Sequence, residues 1–194
     1  MEEKTKRIIV VGIPGVGKTT VVSSVKNTLE QTGITTCLAE FGKIMLEEAE
    51  KLNIKSRDEI RRISIDEQKK LQNLAAERIS QMYSNVVIID THLFINTKEG
   101  YYPGLPADLL NHMKPTHLIL IIANPEEIYH RRQNDSSRVR DMISMESIKN
   151  EIDLSKILIS CCSIISGAPF KILANHEGSM TDCTQKMVSL ILDT

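Results

Sequence analysis

A glycine-rich segment near the N-terminus constrains this chain more than any other feature. An apolar run typical of a buried strand, 8–11, leads directly into it, and a helical pattern follows. The segment fits G-x-x-x-x-G-K-[ST], and strand, glycine-rich turn and helix in this order predict a phosphate-binding loop. The residues predicted to bind the phosphates are Gly12, Ile13, Pro14, Gly15, Val16, Gly17, Lys18, Thr19 and Thr20.

The residue types of this loop suit a nucleotide polyphosphate. Glycines lack a Cβ atom, so the backbone can curl closely around phosphate oxygens and present several N–H groups to them. The N-terminus of the following helix adds unpaired N–H groups and the positive end of the helix dipole. Lys18 is expected to contact the β- and γ-phosphates, and the Thr19 hydroxyl to bind Mg²⁺. A turn that is glycine-rich for structural reasons alone is the disfavoured alternative.

Apolar runs and helical patterns alternate along the rest of the chain. Further strands are predicted at 34–40, 86–90, 117–123 and 170–174, and a long loop at 91–106. Helices are predicted to begin near Lys18, Ser56, Ser64, Asn124, Ser144 and Ser179. This alternation predicts an α/β fold, a five-stranded parallel sheet in a three-layer sandwich, with ligands at the carboxyl ends of the strands. No repeat or linker divides the chain, so residues 1–194 are expected to form a single domain.

Composition limits the expected partners. Hydrophobic residues make up 41% of the 194 residues and charged residues 25%, as in ordinary globular proteins. The formal net charge of −1 and the absence of Trp give no reason to expect nucleic acid, and no apolar run is long enough to span a membrane. The N-terminus lacks the apolar core of a signal peptide, and the four cysteines lack metal-binding spacing. We therefore expect a cytoplasmic protein that binds neither nucleic acid nor membranes.

Two polar residues lie at the end of the apolar run at 86–90 and shortly after it. Asp90 closes the run, and an acid at this place in a phosphate-binding-loop protein is expected to orient Mg²⁺ and its water. A helix cap or a loop carboxylate is the alternative interpretation. His92 is a further nucleotide-binding candidate, with a loop histidine held by backbone groups as its alternative.

Two clusters of arginines give more specific information about the reaction. One cluster precedes the third predicted strand and the other follows the fourth: Arg57, Arg61 and Arg62, then Arg131, Arg132, Arg138 and Arg140. Phosphoryl transfer needs positive charge around the transferring group, and a kinase whose acceptor is a phosphate must also neutralise that acceptor. Two clusters therefore suit two nucleotides meeting end to end, although any single arginine could be solvated surface charge.

In these motifs the chain resembles the archaeal-type adenylate kinases, over essentially its whole length. Beyond the phosphate-binding loop, the matching segments are Glu40-Phe-Gly-Lys-Ile-Met45, Arg57-Asp58, Ile89-Asp-Thr-His92, Thr97-Lys-Glu-Gly-Tyr101, Gly104-Leu-Pro106, Arg131-Arg132 and Arg138-Val-Arg-Asp141. The Asp-Thr-His run and the Gly-Leu-Pro loop are more specific than the phosphate-binding loop, which many NTPases share. The resemblance implies a cytoplasmic enzyme that catalyses ATP + AMP ⇌ 2 ADP with Mg²⁺, has a short lid and is often a homotrimer.

The resemblance also implies roles for particular residues. ATP phosphates would lie on the loop, Mg²⁺ would be held by Thr19 and by waters that Asp90 orients, and residues 41–83 would form the AMP-binding helical segment. The acceptor phosphate would meet Arg57 or Arg61, and residues 133–143 would form the lid. The catalytic charges would come from Lys18, Arg132, Arg138 and Arg140.

The chain departs from the commoner bacterial-type adenylate kinases in two places. Thr-His-Leu follows Asp90 where those enzymes have Gly-Phe-Pro-Arg, and no cysteine-bearing zinc lid is present. Two alternatives therefore stay open: a kinase of another nucleoside monophosphate, and a P-loop ATPase that acts as a switch on a protein partner. The sequence mark of the switch would be a basic tail or an exposed apolar patch.

Overall fold

A five-stranded parallel sheet forms the centre of the computed structural model, which describes residues 5–60, 62–97, 100–134 and 144–193 and, at Arg57, the backbone alone. The strands among the described residues are β1 (Lys6–Val11), β2 (Thr36–Glu40), β3 (Val86–Asp90), β4 (Phe94–Thr97), β5 (Gly100–Pro103), β6 (His117–Ile122) and β7 (Phe170–Ala174). The large sheet has the order β2-β3-β1-β6-β7, and every neighbouring pair is parallel. This confirms the predicted fold class.

Helices cover both faces of the sheet. They are α1 (Lys18–Gln31), α2 (Phe41–Glu50), α3 (Arg57–Ile60), α4 (Ile65–Ser80), α5 (Ala107–Met113), α6 (Pro125–Gln133), α7 (Met145–Ser166) and α8 (Met180–Leu192). Ile8 and Val10 of β1 pack into a core with α1 and α8, whereas Ile9 and Val11 pack into a second core with α4 and α5. Because the central strands β1, β3 and β6 are buried on both faces, their sequences are almost continuously apolar.

Most helix starts follow the predicted caps. Ser64 and Asn124 each form a capping box with an acid three residues later, and the Ser144 side chain accepts a bond from the Ser147 N–H. Ser179 is the exception, because its hydroxyl donates to the His176 carbonyl and makes no cap bond to α8.

The predicted loop at 91–106 contains an antiparallel hairpin instead, formed by β4 and β5. Its aromatic residues favour strand pairing, and the rings of Phe94 and Tyr101 meet edge to face at 4.9 Å. The hairpin closes against the preceding chain, where the Gly104 N–H donates to the Leu93 carbonyl at 2.8 Å. A Cβ atom at Gly104 would lie 2.2 Å from the His92 carbonyl oxygen, so only glycine fits there.

Apolar spacing in the sequence predicts that α7 buries Ile148, Ile152, Leu158 and Ile165. Ile148 and Ile152 are buried as expected, but Ile165 is half exposed. The polar residues Glu151 and Ser155 are buried in its place. A buried acid requires a partner, and the partner of Glu151 is Arg132 of α6.

Arg7 fastens β1 to the C-terminus of α4. Its guanidinium donates hydrogen bonds to the carbonyls of Ile79, Ser80 and Met82, at 3.0, 2.7 and 3.0 Å. The last carbonyls of a helix lack partners within the helix, and a planar guanidinium can satisfy several of them at once. Within the described residues, no helix is long and apolar enough to cross a membrane.

We predict that Arg7→Lys lowers the free energy of unfolding by about 1–3 kcal/mol, because one ammonium cannot reproduce bonds in two directions. Urea denaturation followed by circular dichroism measures the change. The matched control is Arg62→Lys at an exposed arginine, for which a change within about 0.5 kcal/mol is expected. Equal effects of the two substitutions would contradict the role given to Arg7.

Candidate active site

The phosphate-binding loop lies at the carboxyl edge of the sheet, between β1 and α1. The parallel register places Asp90, the last residue of β3, beside Val10 on one side and Glu40 on the other. Loop, acid and the start of α1 therefore converge at one place, as the order of strands and helices predicts.

Two glycines give the loop its shape. Gly15 has φ +92° and Gly17 has φ +81°, both in the left-handed region that favours glycine. Space is restricted as well, because a Cβ atom at Gly17 would lie 2.5 Å from the Asn175 side-chain nitrogen. Gly17 is the N-cap residue of α1, so this conformation turns the chain directly into the helix.

Three side chains donate hydrogen bonds to carbonyl groups of the loop, on the side that we call the back of the loop. Arg132 Nε donates to the Pro14 carbonyl at 2.8 Å, Arg131 Nη1 to the Gly15 carbonyl at 3.4 Å, and Asn175 Nδ2 to the Val16 carbonyl at 2.7 Å. The C=O and N–H of a trans peptide point in opposite directions, so the amides of Gly15 and Gly17 face the other side. That orientation is the one needed to bind phosphate oxygens.

Lys18 and Asp90 form a buried ion pair at the end of the loop. Burial lowers the pKa of the Lys18 ammonium to about 8, and the carboxylate of Glu40 opposes this shift. Direct contact with Asp90 also favours the charged form. Lys18 is therefore a partly desolvated cation that can exchange a carboxylate for a phosphate.

The residues predicted to bind Mg²⁺ supply suitable atoms. Thr19 is exposed in the first turn of α1, and Asp90 lies at the end of β3 beside the same helix start. Hydroxyl and carboxylate oxygens are the ligands that Mg²⁺ and its waters prefer. Asp90 contacts Lys18 in this structure, so its role toward Mg²⁺ stays a prediction.

The structure describes only some of the arginines that are predicted to act at the site. Arg132 lies behind the loop, where its Nη2 also bonds Glu151 Oε2 at 2.9 Å, and a direct catalytic role for it stays a prediction. Arg61, Arg138 and Arg140 lie outside the described residues, as does most of the predicted lid at 133–143, and Arg57 is described by its backbone alone.

His92 is brought beside the phosphate-binding loop. A small cavity of about 20 Å³ separates them, and its lining includes Pro14, His92, Phe94 and Ser155. Hairpin and loop therefore face one another across this gap. The predicted contact of His92 with a nucleotide stays a prediction.

Sequence patterns do not predict two of the residues that support the loop. Asn175 directly follows β7, so a polar residue at the carboxyl edge of the last strand was the signal that could have identified it. Glu151 had no such signal, because an acid in a helix normally marks a solvated face.

Comparisons with known proteins agree with this geometry. The sequence profile described as AAA domain matches residues 11–149. The adenylate kinase of Thermoplasma acidophilum is 39% identical over 95% of this chain and 98% of its own length. The adenylate kinase of Methanocaldococcus jannaschii is 34% identical over 97% of this chain and 99% of its own. The chain belongs to the adenylate kinase family.

Solved structures support the fold of this family member. A shikimate kinase from Acinetobacter baumannii, in complex with shikimate, has a TM-score of 0.59 at 18% identity, over 98% of this chain and 95% of that one. A gluconokinase from Sinorhizobium meliloti has a TM-score of 0.52 at 9% identity, over 97% and 92%. At these identities the likeness shows the P-loop kinase fold alone.

We predict that Asn175→Asp weakens ATP binding by about tenfold, because an oxygen replaces the nitrogen that donates to the Val16 carbonyl. Calorimetric titration with MgATP measures the dissociation constant. Asn111→Asp, at an exposed residue of α5, adds the same charge away from the loop and should leave it unchanged. If Asn175→Asp binds ATP as the wild type does, Asn175 does not fix the loop.

Proposed function

We propose that this chain catalyses reversible transfer of the ATP γ-phosphoryl group to AMP, with Mg²⁺ bound to the nucleotides. One observation carries the proposal: a complete phosphate-binding loop, with Lys18 beside Asp90, in a chain that belongs to the adenylate kinase family over nearly its full length. The same observation supports the prediction, made from the sequence, that the chain binds ATP, AMP and ADP.

Lys18 supplies the main positive charge for transfer in this proposal. ATP phosphates replace Asp90 as its partner, while the amides of Gly15 and Gly17 bind phosphate oxygens. Mg²⁺, when bound near Thr19 and Asp90, neutralises phosphate charge that builds up during transfer. Release of Asp90 from Lys18 leaves its carboxylate able to orient Mg²⁺ waters.

The acceptor is proposed to bind on residues 41–83, with Arg57 or Arg61 at its phosphate. Two helices of this segment are joined by Arg78 of α4, whose Nη1 lies 2.7 Å from a Glu47 oxygen and 3.2 Å from a Glu48 oxygen of α2. Such a tie lets α2 and α4 move as one body toward the donor. Arg138 and Arg140, with the rest of 133–143, are proposed to close over the transferring group and exclude water.

We predict that Lys18→Ala reduces phosphoryl transfer by about a hundredfold or more, since it removes charge that stabilises the transition state. A coupled assay with ATP and each nucleoside monophosphate in turn measures kcat and identifies the acceptor. Lys26→Ala is the matched control, because it removes a more exposed lysine of the same helix that pairs with Glu30. A kcat near that of the wild type in Lys18→Ala would contradict the proposal.

The same assay separates the alternatives. A kinase of another nucleoside monophosphate would turn over fastest with a base other than adenine. A P-loop ATPase switch would hydrolyse ATP at the same rate with and without AMP, and would form no ATP from ADP.

We also propose a cytoplasmic homo-oligomer, a trimer by resemblance to the family. An apolar face on the outside of α7 supports association: Ile157, Ile164 and Ile165 are exposed by 62%, 83% and 50%. Such a patch is also the mark expected of a switch with a protein partner, so purified protein must be tested alone.

We predict that sedimentation equilibrium of the purified chain at micromolar concentration gives a trimer. Ile164→Asp should shift the equilibrium toward monomer, because association would bury an unpaired carboxylate. Asp182→Asn, at an exposed site of α8 where the acid pairs with Lys186, should leave the association unchanged. A wild-type chain that sediments as a monomer would contradict the proposed trimer.

A further inference from the structure

We propose that Glu151 is a positioning residue for the ATP phosphates. It holds Arg132, and Arg132 holds the phosphate-binding loop. This inference deepens the proposed function and rests on it, since it concerns the donor side of the same site. Glu151 lies in α7, far along the chain from the loop, and its role is visible only in the folded protein.

The contact between Glu151 and Arg132 is buried. Their side chains are exposed by only 5% and 7%, and Arg132 Nη2 lies 2.9 Å from Glu151 Oε2. Glu151 is the acid in the buried face of α7, and Arg132 belongs to the last turn of α6. The pair therefore joins two helices from behind the loop.

Arg132 also contacts the phosphate-binding loop in two places. Its Nε donates to the Pro14 carbonyl at 2.8 Å. Its stem packs against the backbone, because a Cβ atom at Gly15 would lie 3.1 Å from Arg132 Cγ. The guanidinium is planar and rigid, so fixing its Nη2 on Glu151 also fixes the direction of its Nε–H.

The peptide between Pro14 and Gly15 is the one that this arrangement orients. Its carbonyl accepts from Arg132, and its N–H therefore points to the phosphate side. Without Glu151, a buried guanidinium would lose its counter-charge and would move toward water, away from the Pro14 carbonyl. The loop would then have to be ordered by ATP itself, which weakens binding of the donor and leaves the acceptor unaffected.

A purely structural ion pair makes a different prediction. Replacing both members of a buried pair by apolar residues of similar size is commonly neutral or stabilising. If the pair served stability alone, the double variant Arg132→Met/Glu151→Leu would recover both folding and ATP binding. If Glu151 acts on the loop through Arg132, stability returns but the Pro14 carbonyl still lacks its donor, so ATP binding stays weak.

The experiment compares Glu151→Leu, Glu151→Gln and the double variant with the wild type. Calorimetric titration gives the dissociation constant for MgATP, thermal unfolding gives Tm, and steady-state kinetics give KM for ATP and for AMP. We expect Glu151→Leu to weaken ATP binding by about tenfold or more, with KM for AMP unchanged. Glu151→Gln keeps an oxygen acceptor for Arg132 and should lose less. The double variant should regain Tm without regaining ATP affinity.

The matched control is Asp153→Asn, which neutralises an exposed acid of the same helix whose partner is Lys156 at 2.8 Å. It should leave Tm and ATP binding unchanged. Wild-type ATP affinity in the double variant would overturn the inference, as would equal weakening of ATP and AMP in Glu151→Leu. The titration measures ATP binding and does not depend on catalysis. A wild-type protein that forms no ATP from ADP would therefore refute the proposed function, while the titration still decides the role of Glu151.

Discussion

A loop that turns its amide N–H groups toward phosphate must satisfy its carbonyl groups on the opposite side. Three carbonyls of this loop receive hydrogen bonds from Arg132, Arg131 and Asn175. Those donors come from the end of α6 and from the residue after β7, so the shape of the loop depends on two distant parts of the chain. The carboxyl edge of the parallel sheet is what brings these parts together.

The buried ammonium at this edge has negative partners before any nucleotide binds. Lys18 is buried, and Asp90 and Glu40 supply negative charge near it. In the proposed function, ATP brings a larger negative charge to the same ammonium, so binding exchanges one partner of Lys18 for another and keeps the buried ammonium paired. Asp90, once released from Lys18, would be free to orient Mg²⁺ waters, so the proposed function links donor binding to metal binding.

Much of the fold was predictable because its signals are local. Continuous apolar runs identified the five strands of the sheet, and the glycine pattern placed Lys18 correctly at the first turn of α1. The pairing of β4 with β5 differs from the predicted loop, because Gly and Pro in this segment indicate a loop while the contact between the rings of Phe94 and Tyr101 favours paired strands. Glu151 was not predictable, because its function depends on a partner that only tertiary packing brings within reach.

The proposed function requires two nucleotides to meet end to end at the carboxyl edge of this sheet. Calorimetric binding of a single ligand with two adenosines joined by five phosphates tests it directly, alongside formation of ATP from ADP. Because the ligand spans both sites without a second association step, it should bind about a hundredfold or more tightly than ATP and should block ADP conversion. If this ligand binds no more tightly than ATP and no ATP is formed from ADP, two nucleotides do not meet at this edge.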